Sequence, residues 1–243
     1  MFSRFSKRRS YDLVVAIGGD GTINEVVNGL VTASLPLAVV PAGTANVFSL
    51  EFGIPHNVEE ACQRIIEGHC RCIDLGLAGN RYFACMAGVG FDAHVIKKVD
   101  KKIKKRFGAL SYVLVAIKYF FKYKFSKIHV QIDGEPEILK GRFLVVSNTK
   151  YYGGKFLLTP KADPSDGYLD LCLMKYKKIW NVLRYFFAIK QGNIDKVSTV
   201  EYRKVKNVRV LKHGKHAVHV DAEYIGHTAV TLTVEEGVLW LVH

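Results

Sequence analysis

At 243 residues the chain can bury one large or two small cores, and 49% hydrophobic content with only 6 prolines excludes a largely disordered protein. A formal charge of +13 and an isoelectric point near 9.5 call for an acidic partner or surface. The five cysteines, Cys62, Cys70, Cys72, Cys85 and Cys172, are odd in number and spaced like neither a zinc site nor a redox pair, so reduced, mostly buried thiols in a cytoplasmic protein are expected.

Residues 12–70 read as βαβα. Met1 to Ser10 is basic and runs straight into an apolar strand, which is not the pattern of a signal peptide. The apolar run at 13–17 reads as a buried parallel strand. It ends in Gly18-Gly19-Asp20-Gly21-Thr22, and Ile23, Val26, Val27 and Leu30 then predict a helix from about Thr22 to Leu30. A strand, a glycine turn and a helix N-terminus together can cradle a phosphate, although many such turns bind nothing. A second strand at 37–40 ends in Pro41-Ala42-Gly43-Thr44-Ala45-Asn46, and a helix from about Val58 to Glu67 closes at Gly68. Ligands of open α/β sheets bind at the carboxyl ends of the strands, so both turns should line one crevice.

The pattern changes near residue 75. Arg81 to Met86 begins strand-like, and residues 94–124 read as helical. Short β runs follow at 127–132, 141–147, 169–174, 197–203, 206–211, 216–221, 228–233 and 238–242, with one helix inserted from Ile179 to Lys190. The expected architecture is α/β plus all-β: an N-terminal α/β lobe over 1–74 and a β-sandwich over 75–243. The site should lie in the cleft between them, with a hinge near Asp74 and the C-terminal tail returning to the first lobe.

Positive charge concentrates at Lys97, Lys98, Lys101, Lys102, Lys104, Lys105 and Arg106. Such a run is commonly a solvated face. No nucleic-acid motif or aromatic stacking platform accompanies it, so nucleic acid is not expected as a partner. The aromatic stretch Phe107–Phe125, interrupted by Lys118, Lys122 and Lys124, is too broken to span a bilayer. Its pattern suits docking on an anionic membrane as well as packing on its own sheet.

The blocks Gly18–Thr22, Asn24-Glu25, Pro41–Asn46 and Phe52-Gly53-Ile54-Pro55 resemble the catalytic domain of the diacylglycerol-kinase family of lipid kinases. The resemblance continues through Asp74-Leu75-Gly76, Gly88–Asp92, Pro160–Leu171 and Asp221-Ala222-Glu223. It implies transfer of the γ-phosphate of ATP, with Mg2+, to a lipid hydroxyl, most simply that of diacylglycerol, by an enzyme peripherally bound to the membrane. It implies that Gly18, Gly19, Asp20, Gly21, Thr22, Glu25, Gly43, Thr44, Asn46 and Asp74 hold the nucleotide and its water and metal network. Asp163, Asp166 and the Tyr168 carbonyl would hold Mg2+, which takes hard oxygens at about 2.1 Å. From local residues alone, Asp163–Gly167 is equally a metal-free turn. Glu223 is the expected general base, with Asp20 beside it in the catalytic set and Asp221 on the same strand face two residues before. His213, His216 and His219 read as ordinary surface residues.

Three departures from the family pattern stand out. The usual first strands and their Asn-Pro-x-Ser-Gly loop are missing before Gly18, so an open sheet edge is expected, leaving room for a homodimer. Val47 and Leu50 stand where an aspartate and an arginine are usual, and Ala222 replaces a glycine, which matters if that position needs φ > 0. The alternatives are an NAD kinase-like enzyme, which shares the Gly-Gly-Asp-Gly loop, and an inactive basic membrane-binding module.

Overall fold

The structure, a computed structural model, describes residues 11–99 and 110–243. It opens with β1 (Val14–Gly18), α1 (Asp20–Leu30), β2 (Leu37–Pro41), α2 (Val47–Glu51) and α3 (Val58–Glu67). β1 and β2 are parallel and in register from Val14 opposite Leu37 to Gly18 opposite Pro41, so the two strands end level. Ile23, Val26, Val27 and Leu30 give α1 the apolar stripe that packs it on these strands. The Asn57 side chain caps α3 by accepting from the N–H groups of Glu59 and Glu60, and Gly68 ends that helix at φ +70°. Among the described residues β1 is a sheet edge, with Val15 and Ile17 exposed.

Next come β3 (Cys70–Ala78), β4 (Arg81–Phe83), β5 (Met86–Gly90), α4 (Phe91–Lys98), α5 (Leu110–Phe120), β6 (Ile128–Ile132), β7 (Ile138–Gly141) and β8 (Phe143–Ser147). The hairpin β9 (Tyr151–Tyr152) and β10 (Phe156–Leu157), β11 (Leu169–Met174) and α6 (Ile179–Gln191) follow. The chain closes with β12 (Val200–Val205), β13 (Asn207–Val210), β14 (Ala217–Val220), β15 (Glu223–His227) and β16 (Val230–Val242).

Besides the two-stranded β9–β10 sheet, two larger sheets result: β12-β11-β8-β5-β14-β15, and β1-β2-β16-β13-β6-β7 with β3 and β4 attached beside β16. Alternation sets the sandwich core, where Val89, Leu144, Leu171 and Val218 of one sheet meet Val130, Val208 and Leu232 of the other. The opposite face of the six-stranded sheet carries Met86, Val145, Cys172 and Met174 into a second core beneath α1 and α6. An N-terminal α/β lobe and a C-terminal β-sandwich therefore stand as expected.

Several elements differ from the sequence reading. Asp74, expected near the hinge, lies in the middle of β3, which runs unbroken beside β16. The runs at 228–233 and 238–242 are one 13-residue strand, bulged between Glu235 and Leu239, with Gly237 at φ +60°. Its far end meets β2, Leu241 pairing parallel with Leu37, so the last strand is shared by both lobes. α1 starts at Asp20, not Thr22, which puts three residues of the expected loop into the first helical turn. The helical stretch at 94–124 is α4 and α5, and most of the lysine-rich run, residues 101–106, lies outside the described residues. α2 and the edge strand β15 were not anticipated, because neither shows clean periodicity.

Candidate active site

The level ends of β1 and β2 bring their two turns into backbone contact. A Cβ at Gly19 would lie 2.9 Å from the Gly43 Cα, and one at Gly43 would collide with the Gly19 Cα. These two glycines are thus required by each other, independently of any ligand. Gly21 differs: a Cβ there would meet nothing within 4 Å, so the exposed first turn of α1 keeps open space above its unpaired N–H groups.

Asp20 stands in that turn, and its Oδ1 accepts the Phe48 N–H at 3.0 Å, supplying the cap that α2 lacks from its own Asn46. A carboxylate at the N-terminus opposes a bare phosphate and favours one that arrives with a cation. Asn46 was expected to face the nucleotide, but its side chain is spent on its own turn. Oδ1 accepts from the Gly43 N–H, and Nδ2 donates to the Gly43 carbonyl, both at 3.0 Å. Thr44 remains exposed beside it.

The acidic pair lies at the tip of the β14–β15 hairpin. Val220 pairs with Glu223, and Asp221 and Ala222 between them have φ of 43° and 62°. Positive φ at both central residues is the mark of a type I′ turn. Asp221 and Glu223 therefore sit on either side of a tight turn, not on one strand face as expected, and the turn sends them to different surroundings. Asp221 is buried and accepts four hydrogen bonds, from Asn24 Nδ2 (2.7 Å) and the N–H groups of Ala84 (2.8 Å), Cys85 (3.0 Å) and Met86 (2.9 Å). Burial pushes its carboxyl up, and these donors offset part of the rise. Glu223 is half exposed and is held by Arg81 at 2.8 Å.

Arg81 is the residue the sequence reading missed here. Its guanidinium also reaches Glu25 and donates to Asn24 Oδ1 at 2.9 Å. Asn28, one turn after Asn24, completes the seam by exchanging two 2.9 Å bonds with the Tyr82 backbone. The Asn24/Asn28 spacing of four on one helix face was the available signal. Through these contacts α1, whose first turn carries Asp20, is fastened to the hairpin carrying Glu223. The buried Cys85 thiol is raised well above its usual value by desolvation first, then by the charges of Asp221 and Asp20.

Asp74 and the loop at 163–168 form a second assembly. Asp74 accepts from the Gly167 N–H (2.7 Å) and from Gly237 in the β16 bulge (2.8 Å), and its own N–H donates to Pro164 (2.7 Å). Both oxygens that were expected to serve the nucleotide network thus organise the backbone. Asp163 accepts from Ser165 and Asp166 from Tyr168, at 3.1 and 3.0 Å, while Lys204 pairs with the other Asp166 oxygen. Two carboxylates and the Tyr168 carbonyl in one turn fit the donor chemistry of Mg2+. Among the described residues no group of three His, Cys, Asp or Glu is placed to hold a metal, so such an ion would draw further ligands from backbone and water, with Lys204 as its competitor.

Contrary to expectation, the three histidines are not all surface residues. His216 and His219 are buried, and His219 Nε2 lies 2.9 Å from Asp92, which also accepts from Tyr152 at 3.0 Å. On β14, His219 faces away from the sandwich core formed by Val218 and Val220. Of the free cysteines only Cys85 and Cys172 are buried, fewer than expected.

The diacylglycerol kinase catalytic domain matches residues 1–78, and the YegS C-terminal NAD kinase beta sandwich-like domain matches residues 85–243. The diacylglycerol kinase of Bacillus subtilis (strain 168) is 32% identical over 223 residues, 90% of this chain and 73% of that protein. This chain belongs to the diacylglycerol kinase family. The diacylglycerol kinase of Staphylococcus saprophyticus is 30% identical, across 91% of this chain and 73% of that enzyme. An uncharacterized Synechocystis protein is 28% identical, and the chain spans 51% of its length. A diacylglycerol kinase crystal structure from Bacillus anthracis str. Sterne has a TM-score of 0.80 at 24% identity, covering 99% of this chain and 80% of that one, and shares its fold. Family membership identifies the chain as a kinase of the lipid-kinase family.

Proposed function

We propose that this kinase transfers the γ-phosphoryl group of ATP to the hydroxyl of a membrane lipid, most simply diacylglycerol. One observation carries the reading: Asn24 and Arg81 fasten the phosphate-cradling end of α1 to the hairpin bearing Glu223. Phosphoryl transfer needs positioning, charge stabilisation and an acceptor for the hydroxyl proton. The open N–H groups of the first turn of α1, with exposed Thr44, position the phosphates. Glu223 takes the lipid hydroxyl proton as the new oxygen–phosphorus bond forms, and the bond to the leaving diphosphate breaks. Arg81 holds the Glu223 carboxylate in place, and buried Asp221 fixes the turn that presents it. Mg2+, when bound, offsets phosphate charge, and Asp163, Asp166 and the Tyr168 carbonyl are the residues that would hold it near the lobe junction. Among the described residues no helix is long and apolar enough to cross a membrane, and the reading places the enzyme at the cytoplasmic membrane surface as a peripheral protein.

The test is to incubate the protein with labelled ATP, Mg2+ and mixed lipid vesicles, with NAD as a competing acceptor. Label in lipid supports the proposal. Label in the dinucleotide favours the NAD kinase alternative, and no transfer with vesicle binding favours an inactive membrane module. Glu223→Gln should lower transfer by about 10²- to 10⁴-fold while leaving nucleotide binding intact. Unchanged turnover in that variant removes Glu223 from the role.

A further inference from the structure

Helix α6 has 13 residues, yet only Tyr185 and Ala188 are buried. They belong to the core that includes Val145, Cys172 and Met174 on the outer face of the six-stranded sheet. The other side of the helix turns Trp180 (78% exposed), Leu183, Phe186 and Phe187 to solvent, and the Phe156 ring of β10 extends the patch at 6.1 Å from Phe186. A helix that served only its own sheet would turn its largest apolar residues inward. An aromatic patch of this kind marks an interaction surface.

The charges around it select the partner. α6 has no acidic residue and is bordered by Lys177 and Lys178, with Arg184 and Lys190 along it. α5 repeats the arrangement, leaving Leu114, Ile117 and Phe121 exposed, with Lys118 and Lys122 close by and no acid on the helix. Both lie on one side of the same sheet: α5 packs on α4 through Val115, Ala116 and Tyr119, and α4 is bonded through Asp92 to His219, opposite the sandwich core. Two separated apolar ridges among cations, on one side of a sheet, suit an extended anionic plane better than a single groove-filling partner. Neither helix can span a bilayer.

We propose that α6, together with α5, docks this protein on an anionic bilayer, with Trp180, Leu183 and Phe187 entering the interfacial layer. This names the membrane contact for the lipid-kinase reading, on which it rests for its biological purpose. The chain has two tryptophans, so Trp240→Phe leaves Trp180 as the sole reporter. With phosphatidylglycerol vesicles, Trp180 emission should shift to the blue and be quenched by brominated acyl chains; with phosphatidylcholine vesicles it should do neither. The double variant Trp180→Glu/Phe187→Glu, with native circular dichroism, should partition into phosphatidylglycerol vesicles at least about tenfold less. Its turnover of a short-chain, monomerically dispersed diacylglycerol should stay within about twofold of the parent, since neither residue touches the site. Equal partitioning of parent and double variant overturns the proposal. So does a parent dimer that the variant dissociates while vesicles bind neither, which would assign the face to a second copy. Vesicle docking without transfer to any lipid defeats the kinase reading and leaves the docking standing; transfer to dispersed lipid without docking does the reverse.

Discussion

Two sets of carboxylates contrast: Asp221, Asp74 and Glu51 lie inside and take backbone N–H groups, whereas Glu223, Asp166, Glu236 and Glu201 lie at the rim and pair with lysine or arginine. Asp221 takes three backbone donors and an asparagine amide, Asp74 takes two glycine N–H groups, and buried Glu51 takes the Lys150 N–H at 2.7 Å. At the rim, Glu223 pairs with Arg81, Asp166 with Lys204, Glu236 with Lys206, and Glu201 with Lys175 and Arg203. The interior set specifies turns and bulges and cannot be exchanged without orphaning the backbone. Rim pairs are accessible to water, exchange with solvent ions, and are free to move protons or accept a cation. In the proposed function acid–base work falls to Glu223, while Asp221, two residues away, is architectural.

The largest test of this contrast is Asp221→Ala. Four buried donors lose their acceptor, and stability should fall by about 3–5 kcal/mol in urea unfolding. A loss comparable to that of an exposed pair would mean that the interior set is not structural. Asp74→Ala orphans only the Gly167 and Gly237 N–H groups, at the partly exposed bulge and loop, so about 2–3 kcal/mol is expected by the same measurement. Ala222→Gly should act in the opposite direction. With φ at 62° the alanine is held in the left-handed region, and glycine should stabilise the turn by about 0.5–1 kcal/mol, read as a higher Tm. A variant no more stable than the parent would show that the hairpin carries no strain there.

The smallest effects are in the pH dependence, and their signs differ between the two sets. Burial raises Glu51 above its ordinary 4.5, partly offset by the Lys150 N–H. With the folded value raised, the contribution of Glu51 is complete below that ordinary value and is lost as pH rises through the folded one. The Lys175 hydrogen bond, aided by Arg203 and opposed by desolvation, lowers Glu201 below its ordinary 4.5. Its contribution is present above 4.5 and is lost as pH falls through the folded value. From pH 3 to pH 7, then, the stability gap between parent and variant should move in favour of Glu51→Gln and against Glu201→Gln, by about 1 kcal/mol or less in the second case. Gaps moving in the same direction would erase the distinction.

Much of the fold is legible in local pattern. The runs at 13–17, 37–40 and 169–174 are β-branched or alternating, and the structure has strands there because such runs can be buried on a sheet. The stripe in α1 and the Asn57/Gly68 caps of α3 are likewise local signals. Other features depend on partners far along the chain. Arg81 looks like an ordinary residue at the start of a strand until Glu223, 142 positions later, meets it. His219 reads as surface because nothing nearby announces Asp92, 127 positions away. Glu223 and Asp221 seem to share a strand face unless positive φ at both Asp221 and Ala222 is known.

By itself the sequence determined the two-lobe class and the paired glycine turns, because short-range periodicity and the steric needs of tight turns are written in consecutive residues, and the order of its motif blocks carried the resemblance to the kinase family. Only the tertiary structure decided which carboxylates are architectural and which are free, that one bulged strand serves both lobes, and that α6 turns its aromatic side outward. Those outcomes depend on which donors, charges and surfaces meet across long separations, and burial is a property of the assembled molecule.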